Sequence, residues 1–262
     1  MSNLKIIRTW WGNHQNKMVE IPRSPIFNNE IVYVWGEDNL IKIRKKGYDC
    51  VLVEEDGLFN HESNVYGKKL QALDMGLKDF GEVLMLDWDC HLGKPFDDEF
   101  YYMLSQKPTQ VPLYAHYKEP FVSLLEAIPD EHPVLQHEDS FKHLIKNLEL
   151  IDYEVPKYHW KFEDSFIIPN FGCVYSRDKN YGNDLIKIAK KYNIKGLVEE
   201  LSMWKYANCS LKEYIKQFQP NYVLGVSDSK LIEQKHTIQI IQRQFNNYLK
   251  TQINYKPYLE HV

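Results

Sequence analysis

The chain has 262 residues, of which 44% are hydrophobic and 14% aromatic, and its formal net charge is −4. These values allow a sizeable core and exclude a strongly basic nucleic-acid-binding protein, because acidic and basic residues are well mixed. The 4 cysteines are widely spaced and form no CxxC pair, so we expect reduced thiols and neither a zinc module nor a disulfide framework. The sequence shows no signal-peptide core and no apolar run that could span a bilayer, so we expect a cytoplasmic protein without a membrane segment.

Strands and helices alternate through the first part of the chain. We predict strands at residues 4–9, 30–35, 48–53 and 83–86 and helices at residues 39–46 and 66–80. The second helix is amphipathic, since its apolar residues recur at helical spacing, and Gly81 ends it. The strand that follows is continuously apolar, which is typical of a strand buried on both faces of a parallel sheet. The alternation predicts an α/β fold with a mixed, mainly parallel central sheet flanked by helices.

The pattern changes after Pro95. We predict helices at residues 96–104, 121–128, 137–150, 183–192 and 198–208, strands at residues 109–117, 222–226 and 235–242, and two apolar runs within residues 165–175. No internal repeat, low-complexity tract or clear linker interrupts the chain, so we predict a single domain over residues 1–262.

Two carboxylates separated by one residue follow the apolar strand at residues 83–86. On a strand, Asp87 and Asp89 would project to one face while Trp88 faces the core. The two negative charges need a counter-charge, for which a divalent cation with oxygen ligands is the simplest candidate. Ligands of open parallel sheets also bind beyond the carboxyl ends of the strands. The alternative interpretation is a surface turn with two solvated acids.

The stretches GKKLQAL (residues 67–73) and VLMLDWD (residues 83–89) resemble the nucleotide-sugar-binding half of GT-A-fold glycosyltransferases. Those proteins carry an Asp-x-Asp motif after a buried strand. The resemblance implies a Rossmann-like GT-A fold, with about residues 1–95 binding the donor and about residues 96–262 forming the acceptor-binding half and a C-terminal metal and phosphate segment. It further implies a metal-dependent hexosyl- or pentosyltransferase that uses a nucleotide-diphosphate sugar, with a UDP-sugar as the first choice. The acceptor stays open among a glycan, a protein, a lipid and a modified nucleobase.

The same resemblance implies roles for the acid pair and the helix before it. Asp89 would coordinate Mn²⁺ or Mg²⁺, and Asp87 would hold the ribose, assist the metal, or do both. The metal would neutralise the leaving diphosphate. Lys68 or Lys69 would add a cation near the phosphates, although a solvated helix face is the alternative for at least one of them.

The loop after the first strand matches the place where this family receives the nucleotide base. Thr9, Trp10 and Trp11 occupy that place, and Trp10 or Trp11 would stack on uracil or lie in the core. Stacking aromatic rings distinguish bases poorly, so they do not fix which base is bound.

Four positions in the second half extend the resemblance, and a late histidine completes it. Asn170 and Gly172 would form part of the sugar pocket, with a plain Pro-Asn turn as the alternative. Glu199 and Glu200 would contact the sugar or act as the general base, although acidic residues are also favoured at helix N-termini for their charge alone. His236 would be a third metal ligand. The Gly-x-Lys-Pro-Trp phosphate loop that follows this histidine in some families is absent here.

Two other functional classes share features with this sequence. A nucleotidyltransferase acting on sugar phosphates would also use acids and a metal, but it usually has a Gly-rich phosphate loop near the first strand, where only Gly12 is present. A non-catalytic glycosyltransferase-like binding module is the other alternative. The intact pair of Asp87 and Asp89 argues against it.

Overall fold

The structure, a computed structural model, describes residues 4–12, 21–61, 64–105, 107–111, 113–117, 165–169, 171–194, 198–207, 240–242 and 258–261. Strands and helices follow one another along these residues. The strands are β1 (Lys5–Trp10), β2 (Glu30–Trp35), β3 (Asp49–Val53), β4 (Val83–Leu86), β5 (Cys90–Leu92), β6 (Thr109–Gln110), β7 (Leu113–Tyr117), β8 (Ser165–Pro169), β9 (Cys173–Ser176), β10 (Ile240–Gln242) and β11 (Leu259–His261). The helices are α1 (Glu37–Arg44), α2 (Gly67–Phe80), α3 (Asp98–Ser105), α4 (Tyr181–Lys191) and α5 (Val198–Ala207).

The central sheet has the strand order β3-β2-β1-β4-β9-β6. The four strands from β3 to β4 are parallel, whereas β9 runs antiparallel to β4 and β6 runs antiparallel to β9. The predicted α/β fold with a mixed, mainly parallel sheet flanked by helices is therefore confirmed. Two smaller sheets join β10, β11 and β5, and pair β7 with β8.

Alternate residues of β4 enter two different hydrophobic clusters, one on each face of the sheet. Val83 and Met85 pack with the cluster that includes α2 and α4, while Leu84 and Leu86 pack with a cluster that includes Phe100. All four β4 residues are buried, as the continuous apolar run predicts. A strand of this kind gives a rigid base for whatever follows its carboxyl end.

Two glycines shape α2 and its packing: one ends the helix, and the other allows a neighbouring helix to pack closely on it. Gly81 ends the helix in the left-handed conformation, at φ 76°, and its amide donates to the Leu77 carbonyl at 2.9 Å, as predicted for a helix stop. Gly182 lets α4 pack closely on α2, because a Cβ at this position would lie 2.5 Å from backbone atoms of Asp74. This close packing places the following helix, α5, near the amino-terminal end of α2.

The structure departs from the predicted elements in two places. Residues 109–117 form two strands in different sheets, β6 and β7, rather than one. Pro112 lies between them, and proline cannot donate to a strand ladder. The short strands β5 and β11 were not predicted, since their antiparallel pairing joins residues far apart in the chain.

Several predicted elements lie outside the described residues. These are the helices at 121–128 and 137–150 and the strand at 222–226, while only residues 240–242 of the predicted strand at 235–242 are described. None of the helices in the described ranges is long and apolar enough to cross a bilayer. Cys50, Cys90 and Cys173 are free thiols, in line with the expected reduced state of these three cysteines.

Candidate functional site

The order in which the chain adds strands to the sheet reverses at β1. The chain passes from β1 to β2 on one side and returns through α2 to β4 on the other, with all of these strands parallel. A crevice at the carboxyl ends of two such strands is where open α/β sheets bind ligands. Trp11 follows β1 and Asp87 follows β4, so the predicted base-binding and metal-binding positions stand on the two sides of this switch point.

Asp87, Trp88 and Asp89 form a turn and do not extend the strand. β4 ends at Leu86, and the turn is closed by the Cys90 amide, which donates to the Asp87 carbonyl at 3.0 Å. The expectation that strand alternation directs both acids to one face is therefore wrong. Trp88 does face the core: it is buried, and its indole Nε1 donates to the Thr9 carbonyl at 2.7 Å.

A buried ion pair lies beneath this turn. The Arg8 guanidinium Nε lies 2.6 Å from Glu30 Oε1, and both side chains are fully buried. The same guanidinium donates to the carbonyls of Asp87 and Cys90, which open and close the turn. Arg8 thus neutralises Glu30 and satisfies two buried carbonyl groups at once.

A second charged group lies on the α2 side of the turn. The ammonium of Lys69, in the first turn of α2, lies 2.7 Å from Asp87 Oδ2 and 3.4 Å from Glu199 Oε1 at the start of α5. Glu200 is buried beside them and Tyr66 precedes α2. The acid-lysine cluster, which we define as Lys69, Asp87, Glu199 and Glu200, holds three carboxylates around one ammonium.

The excess of acid changes the proton affinities within the acid-lysine cluster. Burial raises the pKa of Glu199 to about 7, although Lys69 opposes the shift, and burial together with the negative charge of Glu199 raises the pKa of Glu200 to about 8. Burial lowers the pKa of Lys69, but the carboxylates of Asp87 and Glu199 outweigh it and the net shift is upward. Near neutral pH the cluster can therefore take up or release a proton on a glutamate while its lysine stays charged.

Glu199 also has an unused acceptor atom. Its Oε1 faces Lys69, while its Oε2 is buried and has no hydrogen-bond partner among the described residues. A buried carboxylate oxygen without a hydrogen-bond partner is costly when charged, so this position favours the protonated form of Glu199.

The two tryptophans after Thr9 have different environments. Trp10 is 1% exposed and packs edge-on against Trp88 at 6.0 Å between ring centroids. Trp11 is half-buried and packs edge-on against Tyr66 at 5.8 Å. Of the two predicted stacking residues, Trp11 thus has the more accessible ring, beside the acid-lysine cluster, whereas Trp10 and Thr9 are core positions.

The two lysines predicted to lie near the phosphates have different partners. Lys69 reaches Asp87, whereas the Lys68 ammonium pairs with Glu55 at 2.9 Å and lies 5.1 Å from the centre of the Trp35 ring. Both lysine side chains are buried, so neither belongs to a solvated helix face.

Of the remaining predicted site residues, two lie at the turn and two lie outside the described residues. The Gly172 carbonyl accepts hydrogen bonds from the Asp87 amide at 2.8 Å and from the Cys90 thiol at 3.1 Å, so its backbone adjoins the turn. Asn170 and His236 lie outside the described residues. Asp89 is half-buried in the turn beside Asp87.

Two of the described carboxylates, those of Asp87 and Asp89, are the candidates for holding a metal ion at this turn. They contain no group of three or more His, Cys, Asp or Glu side chains arranged around a metal ion. Mg²⁺ typically takes one or two protein carboxylates and completes its coordination with water and substrate phosphates. Asp87 and Asp89 would match the protein's share of a site of that kind.

Comparison with known proteins finds likenesses among solved structures. Across solved structures, the chain is similar to the apo form of mouse xyloside xylosyltransferase 1, with 9% identity over 98% of this chain and 96% of that chain and a TM-score of 0.43. No protein-family model matches the sequence, and no curated protein matches it. A likeness of this degree assigns neither a family nor an activity to the chain.

Sequence reasoning missed three residues that shape this site. In the sequence, Tyr66 counts only as one apolar position of α2, and Arg8 and Glu30 count only as strand residues. A signal was available for the last two, because each is a charged residue in an otherwise apolar run, and the runs are neighbouring strands.

Proposed function

We propose that the chain is a glycosyltransferase that takes a sugar from a nucleotide-diphosphate donor. The observation that carries the proposal is the position of Asp87, at the carboxyl end of β4 and beside the switch point, within a buried acid-lysine cluster. Perturbed proton affinities in a crevice are typical of sites that perform chemistry.

The donor would bind across the ends of β1 and β4. Asp87 and Asp89 offer oxygen ligands for a Mn²⁺ or Mg²⁺ ion, which would supply positive charge against the leaving diphosphate. The Lys69 ammonium holds one oxygen of Asp87, at 2.7 Å. Trp11 is the candidate for stacking on the base, for which a uracil nucleotide is the first choice.

The two glutamates would serve the acceptor. As the acceptor hydroxyl oxygen bonds to the anomeric carbon of the sugar, the bond from that carbon to the diphosphate breaks, and the hydroxyl proton passes to Glu199 or Glu200. A base whose pKa lies near the working pH is suited to this transfer, and both glutamates meet that condition.

The proposal is tested by a donor screen. The melting temperature of the protein is measured with UDP-, GDP- and ADP-sugars, each with and without Mn²⁺. A ligand present at about 100 times its Kd adds about 2.7 kcal/mol to the free energy of unfolding, so the donor raises the melting temperature visibly. Absence of a shift with every nucleotide sugar contradicts the proposal.

Three variants assign the shift to the site. Asp87→Asn and Asp89→Asn should lose the Mn²⁺-dependent shift, whereas Asp184→Asn should keep it, because Asp184 lies on the surface of α4 in a pair with Lys187. Hydrolysis of the nucleotide sugar then separates an enzyme from a binding module. An enzyme releases free sugar slowly in the absence of acceptor, and a binding module releases none.

A further inference from the structure

We propose that Arg8 is a positioning residue, which sets the turn that carries Asp87 and Asp89 and thereby the affinity of the site for a nucleotide and its metal. The ligand named here rests on the proposed function. The positioning of the turn rests on hydrogen bonds alone and can be measured without any ligand.

The guanidinium of Arg8 spans the turn from beginning to end. One of its terminal nitrogens, Nη1, donates to the Asp87 carbonyl, and the other, Nη2, donates to the Cys90 carbonyl at 3.3 Å. Only a planar fork with donors on several nitrogens can reach two carbonyls and a carboxylate together. Arg8 therefore fixes the distance between the two ends of the turn in which Asp89 lies.

The guanidinium is itself held in place from the opposite side. Its Nε lies 2.6 Å from Glu30 Oε1, and Glu30 Oε2 accepts from the amides of Ile26 and Phe27 at 3.3 Å. The Trp88 ring lies 5.1 Å from the guanidinium carbon. The orientation of Arg8 is thus determined by β2, by the segment before it and by the turn.

An apolar pair could fill the same buried space. Replacing a buried ion pair with apolar residues of similar volume is often neutral or stabilising, so we expect a variant without both charges to fold. Arg8 provides something that an apolar residue cannot, namely the bonds to the two carbonyls of the turn. This role differs from core packing and can be separated from it by experiment.

The test compares the wild type with Arg8→Met/Glu30→Gln, which removes both charges but leaves an amide oxygen at position 30 that can still accept from the Ile26 and Phe27 amides. Leu185→Ala, a truncation in the core under α4, serves as the control for lowered stability. Amide hydrogen exchange is followed at Asp87 and Cys90, whose amides donate to Gly172 and Asp87 at 2.8 and 3.0 Å. Binding of UDP with Mn²⁺ is measured by calorimetry on the same samples.

We expect exchange at both amides to be about 10-fold faster in the double variant than in the control, and UDP with Mn²⁺ to bind about 10-fold more weakly, as for other residues that orient ligands indirectly. Exchange and binding equal to those of the control overturn the proposal. If the double variant does not fold, Arg8→Lys is measured in its place, because lysine keeps the charge and lacks the fork. If the wild type binds no nucleotide, the proposed function fails, and the exchange rates still decide the role of Arg8.

Discussion

Two buried groups of charged side chains flank the same turn, and they differ in the balance of positive and negative charge. The Arg8–Glu30 pair has one charge of each sign and is fully buried, and the remaining nitrogens of Arg8 donate to main-chain carbonyls. The acid-lysine cluster has three carboxylates for one ammonium, and its glutamates have raised pKa values. A balanced pair has its charges satisfied within the protein, whereas an unbalanced cluster retains negative charge that a cation or a proton can offset. The balanced pair therefore leaves no charge for a ligand to offset, whereas the unbalanced cluster does.

Breaking the balanced pair should have the largest effect on stability. Arg8→Met leaves Glu30 buried without its counter-charge, which we expect to lower the free energy of unfolding by about 3–5 kcal/mol. Chemical denaturation measures the loss. Arg8→Met/Glu30→Gln should recover a large part of it, since no unpaired charge is left, and a double variant as unstable as the single variant would contradict the comparison.

Removing the lysine from the unbalanced cluster should have a smaller and pH-dependent effect. Lys69→Met leaves three carboxylates without a cation, and we expect a cost of about 3 kcal/mol at pH 8. The cost should shrink at pH 5.5, because protonation of the glutamates relieves the repulsion. Denaturant melts at both pH values in EDTA give the two costs, and equal costs would show that the glutamates do not respond to Lys69.

The glutamates should also make the stability of the metal-free wild type depend on pH. Their folded pKa values, about 7 and about 8, lie above the ordinary value of 4.5, so the folded protein binds more protons than the unfolded chain over that interval. Their stabilising contribution is complete below about pH 4.5 and is lost as pH rises towards 8, by at most about 1.4 kcal/mol per pH unit for each group. Glu200→Gln should flatten the decline in denaturant melts, and Asp184→Asn should leave it unchanged.

Lys68 should show the smallest effect. Its partner Glu55 is half-exposed, so we expect Lys68→Met to lower the free energy of unfolding by less than about 1 kcal/mol. Binding of UDP with Mn²⁺ should stay within about 2-fold of wild type, whereas Lys69→Met should weaken it by about 10-fold or more. Similar losses of affinity for both lysines would place Lys68 in the donor site as well.

Most of the parallel core could be predicted from the sequence. The strands β2 and β4 have the predicted bounds because both are short and mostly apolar, and α2 has a regular apolar spacing that ends at a glycine. Strands β5 and β11 could not be predicted, since each has three residues and its partner lies far away in the chain. Local patterns carry no information about such pairings.

The candidate site was only partly predictable, for a related reason. Asp87 and Lys69 were named because a motif and a helix led to them, and the structure brings their charged groups to 2.7 Å. The turn at Asp87, by contrast, depends on Arg8 in β1 and on Gly172 in the turn before β9. Spacing along one strand therefore could not predict the turn that carries the acids.

The antiparallel position of β9 next to β4 has a consequence for synthesis of the chain. β1 to β4 can pair as soon as residue 86 has left the ribosome, but Gly172 and Glu199 emerge much later. Until then the sheet has an open edge at β4, the Asp87 turn lacks the Gly172 carbonyl, and Lys69 lacks the Glu199 carboxylate. Domains whose contacts join distant segments fold slowly and expose such edges for longer. The nascent protein should therefore acquire its parallel core first and its acid-lysine cluster last.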